Sequence, residues 1–328
     1  MKRKTSLLIA ILTLSICVGL APTQLTAQNM NDVHVLFVLS DGFGWSYFPA
    51  QEYFDNWNVE TTTLALGVDT TVRGCYNRPY VEVTADLLLS NFDLNTLNNY
   101  DCVFIPAGGN WPNLLASHLV LDLLSAAHAR GLLVTTFCIS NVVVAGASNV
   151  VTGLKVASFD MSNLEMSQAG AIIVVGPRIV CDNHVITGSE GGGPTGGGYT
   201  TAPIYEACAM VVKMALGRSW IESAYVTPMG NSYSITVTTT DPATLLPGIN
   251  STTITTVRAQ VYFQADPITP VATIDLTDSD TDGTYTGELS GLTGGPFRVD
   301  IEIQDSDNVL EVVRNISTIF PSAPLIIG

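Results

Sequence analysis

A chain of 328 residues exceeds one small domain, and 47% hydrophobic residues in short, separated runs exclude a disordered polymer. Only 13% of the residues are charged, yet the formal net charge is −16. Such acidity repels phosphate backbones and argues against nucleic acid as a partner.

Lys2, Arg3 and Lys4 precede an apolar stretch from Leu7 to Leu20, and Leu25-Thr26-Ala27 offers a small residue before a cut at Gln28. This order of charge, apolar run and small residue is that of a secretory signal over residues 1–27, which puts the mature chain outside the cytoplasm, secreted or at the cell surface. An uncleaved anchor is the alternative, although the run is short for a full span; membrane contact is expected only through this segment. Its removal takes the formal charge from −16 to −19 and Cys17 with it. Cys75, Cys102, Cys138, Cys181 and Cys208 remain. None forms a CxxC pair, which argues against a structural zinc site, and an odd number leaves at least one thiol outside intrachain disulfides.

From Val33 to about Glu222 strands alternate with helices. Val33–Leu39, Cys102–Pro106 and Leu132–Phe137 are apolar runs that end in turns or small residues. Buried strands of this kind, separated by helices, predict a parallel sheet covered on both faces. Apolar residues at helical spacing predict one helix over Trp111–Arg130, stopped by Gly131, and another over Ala202–Gly217. Between them Ala171–Val175 and Ile179–Ile186 read as a hairpin.

After Trp220 the pattern changes. Ser234–Thr240, Thr252–Phe263, Val271–Thr277, Thr284–Leu289, Phe297–Ile303 and Val309–Ile319 are β-branched runs punctuated by Gly, Pro, Asp and Asn. Six or seven strands in this stretch predict an antiparallel, immunoglobulin-like β-sandwich over residues 223–328, after an α/β domain over 28–222.

Cys138 follows the strand Leu132–Phe137 directly and precedes the apolar segment Ile139–Ala147. A strand–Cys–helix corner lifts a side chain out of the sheet edge, where ligands of parallel sheets collect. Gly108-Gly109 ends the preceding strand, and backbone N–H groups there and at Ile139 are placed to face a developing oxyanion.

The order of Val38-Leu39-Ser40-Asp41-Gly42-Phe43, Tyr100 through Gly109, Gly131 through Ser140, and Val180 through Gly188 resembles the ThiJ/PfpI family of the class I glutamine-amidotransferase-like superfamily, over roughly residues 32–218. The resemblance implies a flavodoxin-like sandwich with Cys138 as nucleophile and Gly108, Gly109 and Ile139 around the oxyanion pocket. It also implies a Glu just after the Asp-Gly-Phe turn and, in peptidase-like members, a His after the Cys. Here those positions are Gly44 and Ile139. A thiolate without a proton-handling partner is a poor general catalyst. Asp41 and Glu190 are the substitutes at hand in that layout, and Trp45, Tyr47 and Trp111 are candidates for the pocket mouth or for packing. Family members often form homodimers.

The run Gly188–Gly198 lacks a Lys-Ser or Lys-Thr ending and is no phosphate-binding loop; no cofactor is expected. Asp278, Asp280 and Asp282 alternate before Gly283, a spacing that suits Ca²⁺ or, more simply, a hairpin turn. Three functions stay open: a cysteine-dependent hydrolase, amidase or glyoxalase-like enzyme; a non-catalytic binder of a small molecule or peptide; and a structural surface protein.

Overall fold

A computed structural model describes residues 30–75, 81–189, 203–240, 249 and 252–321. The leader segment 1–27, Glu190 and most of the glycine run lie outside the described residues. No described helix is long and apolar enough to cross a membrane.

The first half is the expected α/β arrangement. Strands β1 (His34–Ser40), β2 (Glu60–Leu66), β5 (Leu87–Leu88), β6 (Cys102–Ile105), β7 (Leu133–Phe137) and β11 (Val185–Gly188) lie side by side in parallel, in the order β11-β7-β6-β1-β2-β5. β1 and β6 are buried almost throughout, as strands covered on both faces must be. On one face pack α1 (Tyr47–Asn56) and α6 (Ile204–Ala215), over a core holding Phe37, Leu39, Phe54, Phe104 and Cys208. The other face carries Leu36, Val38 and Val103 against α2 (Trp111–Leu115), α3 (His118–Ala129) and α4 (Asn141–Gly146).

Two local expectations need correction. The helix expected over 111–130 is two, because Ser117 takes an extended conformation and restarts the chain as α3. The hairpin is formed by β10 (Ile179–Asp182) and β11, while β9 (Ile172–Val174) pairs in parallel with β8 (Lys155–Ala157). Short apolar runs do not encode their pairing partner. The remaining helix is α5 (Asn163–Gln168), and β3 (Thr71–Arg73) and β4 (Glu82–Thr84) form a small ribbon.

The second half is mostly β. Strands β12 (Ile221–Met229), β13 (Ser232–Thr239) and β16 (Thr284–Ser290) form one antiparallel sheet in the order β12-β13-β16. Strands β14 (Ile254–Phe263), β15 (Asp266–Leu276), β17 (Phe297–Asp305) and β18 (Val309–Ile319) pair antiparallel as β15-β14-β17-β18. β12 escapes the sequence pattern because Pro228 and two consecutive polar residues, Glu222 and Ser223, blur its alternation.

The second sheet is not separate. β18 pairs in parallel with β10, Ile179 opposite Val309 and Asp182 opposite Val312, so that among the described residues one eleven-stranded sheet runs from β15 to β5. One apolar cluster holds Phe37 and Cys208 together with Ile235, Val257 and Val299. Three buried ion pairs cross the same seam: Lys213 with Glu311, Lys155 with Glu302, and Asp182 with Arg314. Lys213 also lies 3.5 Å over the Trp220 ring, and Glu311 accepts from the Ser219 hydroxyl and the Trp220 N–H. Each buried charge therefore has both a counter-ion and further polar or aromatic neighbours, the condition under which burial of ions is tolerated.

Stripping one partner should be severe. Lys213→Ala is expected to cost about 3–5 kcal/mol in urea unfolding because Glu311 is left charged and buried. Lys213→Met combined with Glu311→Gln should recover at least half of that loss.

Asp305, at the end of β17, is 2% exposed, and burial pushes its carboxyl up to about 6 although Asp307 and Val309 N–H groups donate to it at 3.0 and 2.8 Å. A carboxyl that binds its proton more tightly when folded favours folding at low pH, and that contribution is lost as pH rises from its ordinary 3.8 through about 6. Asp305→Asn keeps the acceptor oxygen without the charge. Its stability relative to the unsubstituted protein should rise by roughly 3 kcal/mol between acidic and neutral pH, read from urea unfolding at both.

Candidate functional site

The carboxyl ends of β1, β6 and β7 converge, and each turn there is shaped by a specific contact. Cys138 follows β7 with φ +52°, a left-handed conformation uncommon for a residue with a β-carbon. It opens a single 3-10 turn, Cys138–Ser140, that leads into α4. Cys138 and Ile139 are half-buried, and Cys138 packs against the cluster that contains Phe37, Leu39 and Phe43.

Buried polar side chains brace this corner. The Ser140 hydroxyl donates to Pro106 O at 2.9 Å, tying the corner to the turn after β6. Asn141 Nδ2 donates to Gly188 O at 3.1 Å, and its Oδ1 accepts from the Thr136 hydroxyl at 2.8 Å. Gly188 has no room for a side chain, since a β-carbon there would lie 2.3 Å from the Phe137 ring. Sequence reading missed Thr136, Ser140 and Asn141; a polar triplet in an apolar run was the available signal.

The turns after β1 and β6 meet backbone to backbone. Phe43 bridges Gly108 on one side and Gly74 on the other. A β-carbon on Gly44 would lie 1.7 Å from Ala107 O, and one on Gly108 would lie 2.4 Å from Gly44 N. The Ser46 hydroxyl accepts from Ala107 N at 3.0 Å and fixes the same turn. A side chain at the position where the family resemblance implies a glutamate would thus collide with a neighbouring carbonyl. Gly109 is exposed and Gly108 half-buried at this edge.

The other candidates fall elsewhere. Asp41 is exposed; its Oδ1 accepts from Arg73 N at 2.8 Å, which aligns it with the β3–β4 ribbon. Tyr47 is 2% exposed, edge-on to Phe37 and Phe43, with its hydroxyl 3.1 Å from that of Thr63, so it packs rather than lines a mouth. Trp111 packs on the opposite cluster, against α2 and α3 neighbours, and Trp45 stacks at a tilt on Phe48. Three of the four histidines sit at the amino ends of the strands. His34 starts β1 and meets Glu60 at 2.9 Å; His184 forms the β10–β11 turn, where its carbonyl accepts from Val134 N; His128 lies beside His184. His118 is exposed at the start of α3.

None of the five described cysteines is in a disulfide. Cys102, Cys181 and Cys208 are fully buried, and burial pushes their thiols up, Cys102 to about 12. Asp278, Asp280 and Asp282 lie in the loop between β15 and β16 with carboxylate oxygens within 4.8 Å of one another. Asp278 serves that turn directly, accepting from Thr281 N at 2.8 Å and Gly283 N at 2.9 Å.

The contact at Gly44 makes a direct prediction. Gly44→Ala forces the two turns apart and should destabilise the fold on the order of 3 kcal/mol, whereas Gly131→Ala, whose β-carbon meets nothing within 4 Å, should lose only the cost of its positive φ, roughly 1 kcal/mol. Thermal or urea unfolding of the two variants checks the difference.

The DJ-1/PfpI family model matches residues 33–195. Among solved structures, a ThiJ/PfpI domain protein from Brachyspira murdochii is 18% identical, covering 58% of this chain and 100% of its own, with a TM-score of 0.48. Drosophila melanogaster DJ-1beta is 21% identical, covering 57% and 92%, with a TM-score of 0.47. A two-domain protein from Anabaena variabilis with DJ-1/ThiJ/PfpI-like and ferritin-like domains is 17% identical, covering 56% and 47%, with a TM-score of 0.45. No curated protein matches the chain in sequence. With its Cys138 corner and its parallel sheet, the stretch from residue 33 to 195 is a DJ-1/PfpI family domain.

Proposed function

We propose that this is an exported DJ-1/PfpI-fold protein that binds a small molecule or peptide outside the cytoplasm and does not transform it. The observation that carries the reading is the backbone contact at Gly44. A β-carbon at residue 44 would lie 1.7 Å from Ala107 O, so no side chain fits there without moving two turns. Ile139 stands at the second partner position, and three of the four histidines lie at the far ends of the strands. General acid–base chemistry on a carbonyl needs such a group within hydrogen-bond reach.

The leader-like order of residues 1–27 supports export, and the acidity of the chain supports a partner other than nucleic acid. In the second half the first, second and fifth strands form one sheet and the fourth, third, sixth and seventh the other. That division supports an immunoglobulin-like reading of the sandwich, which serves as a rigid presenting or adhesive element.

The enzyme reading draws on one observation, the left-handed φ of Cys138, since strained backbone is retained most often where it is used. Turnover separates the two. Short 2-oxoaldehydes, aryl esters and casein peptides, offered to the purified full chain and to Cys138→Ser, should give equal background rates. Any turnover that depends on Cys138 would refute the binding reading and install a cysteine-dependent enzyme.

A further inference from the structure

A cleft lies at the carboxyl ends of β1 and β2, and its chemistry differs from that of the Cys138 corner. It measures about 350 Å³, within the range of small-ligand clefts. Ser40 and Asp41 reach it from β1, Leu66 and Asp69 from the end of β2, Arg73 from β3 and Asn113 from α2.

Strand alternation separates it from the thiol. Leu36 and Val38 face the cluster that contains Leu114 of α2, and Ser40, two residues further on, shares their face. Cys138 packs against the other cluster, with Phe37 and Leu39.

An orphaned polar group points to a ligand. The Ser40 side chain is 2% exposed, and its hydroxyl has no hydrogen-bond partner among the described residues. Such a group costs about 1–3 kcal/mol when left dry, so a polar occupant that reaches it is stabilised.

The wall selects the class of occupant. Asp41 and Asp69 are each held by one backbone N–H, from Arg73 at 2.8 Å and Thr71 at 2.9 Å, which fixes their carboxylates. Arg73 is anchored through Nε to Glu82 at 2.9 Å. Two carboxylates disfavour an anion, and the Arg73 guanidinium on the same wall disfavours a simple cation. Acceptors, donors and the two-way groups of Ser40 and Asn113 suit a neutral molecule that donates and accepts at adjacent positions. Leu66 and Val72 supply an apolar wall for its carbon face.

We propose that this cleft binds a small polyhydroxylated molecule of monosaccharide size, with Ser40 and Asp69 as its hydrogen-bonding residues. The proposal deepens the binding reading above and rests on it. Saturation-transfer NMR on the full chain with D-glucose, D-galactose, D-mannose and myo-inositol tests it, with putrescine and inorganic phosphate as charged comparators. At least one of the four polyols should bind with a Kd of about 10 mM or tighter. Ser40→Ala and Asp69→Asn should each weaken that binding about tenfold without lowering the melting temperature, since the Ser40 hydroxyl forms no internal bond and the introduced amide keeps an acceptor oxygen for Thr71 N. Alkylation of Cys138 should leave binding intact. Four silent polyols, preference for putrescine or phosphate, or binding indifferent to both substitutions would overturn the assignment. Loss of binding on alkylation would move the ligand to the thiol corner, refuting the cleft while leaving the binding reading in place.

Discussion

The turns after β1 and β6 touch through their backbones, and the geometry of the site depends on that contact. Gly44 and Ala107 approach so closely that neither turn moves without the other. Ser46 and Ser140 then pin the same β6 turn from two directions, through Ala107 N and Pro106 O. The Cys138 corner inherits its position from this arrangement, because Ser140 is only two residues further along. A corner built this way is held against two turns that cannot move independently, and no side chain fits at residue 44 between them.

A second constraint joins the halves of the molecule. The edge of an open parallel sheet offers unpaired N–H and C=O groups, a hazard unless covered. Here β18 covers it by pairing with β10, and the buried pairs Lys213–Glu311, Lys155–Glu302 and Asp182–Arg314 fix the register. Buried pairs seldom add net stability over apolar packing, but a slipped register would leave several charges uncompensated. Their value is specificity of docking. The β-rich half is therefore a continuation of the sheet and shares its core, rather than a bead on a linker.

Much of this was legible in the residues. The apolar runs of β1, β6 and β7 mark buried parallel strands, Gly131 and Gly217 stop their helices with positive φ, and the position of Cys138 after a strand marks the corner. The empty partner position at Gly44 was legible too. Its cause was not, because Ala107 is distant in sequence and a glycine does not announce what approaches it. The joining of β18 to β10 was equally hidden, since strand pairing between remote segments leaves no periodic trace. The break at Ser117 and the blurred alternation of β12 show the same limit at short range, where tertiary packing overrides local pattern. Ser40 and Asp41 read as parts of a turn motif, and only the folded chain places them on a cleft facing away from the thiol.

The most direct measurement is the turnover of Gly44→Glu on a short 2-oxoaldehyde, beside its melting temperature. The account predicts a destabilised protein with no gain in Cys138-dependent turnover, because the β-carbon that any side chain adds at residue 44 would lie 1.7 Å from Ala107 O. A stably folded Gly44→Glu that turns over substrate through Cys138 would contradict it, and would mean that the site is one residue short of an enzyme rather than closed.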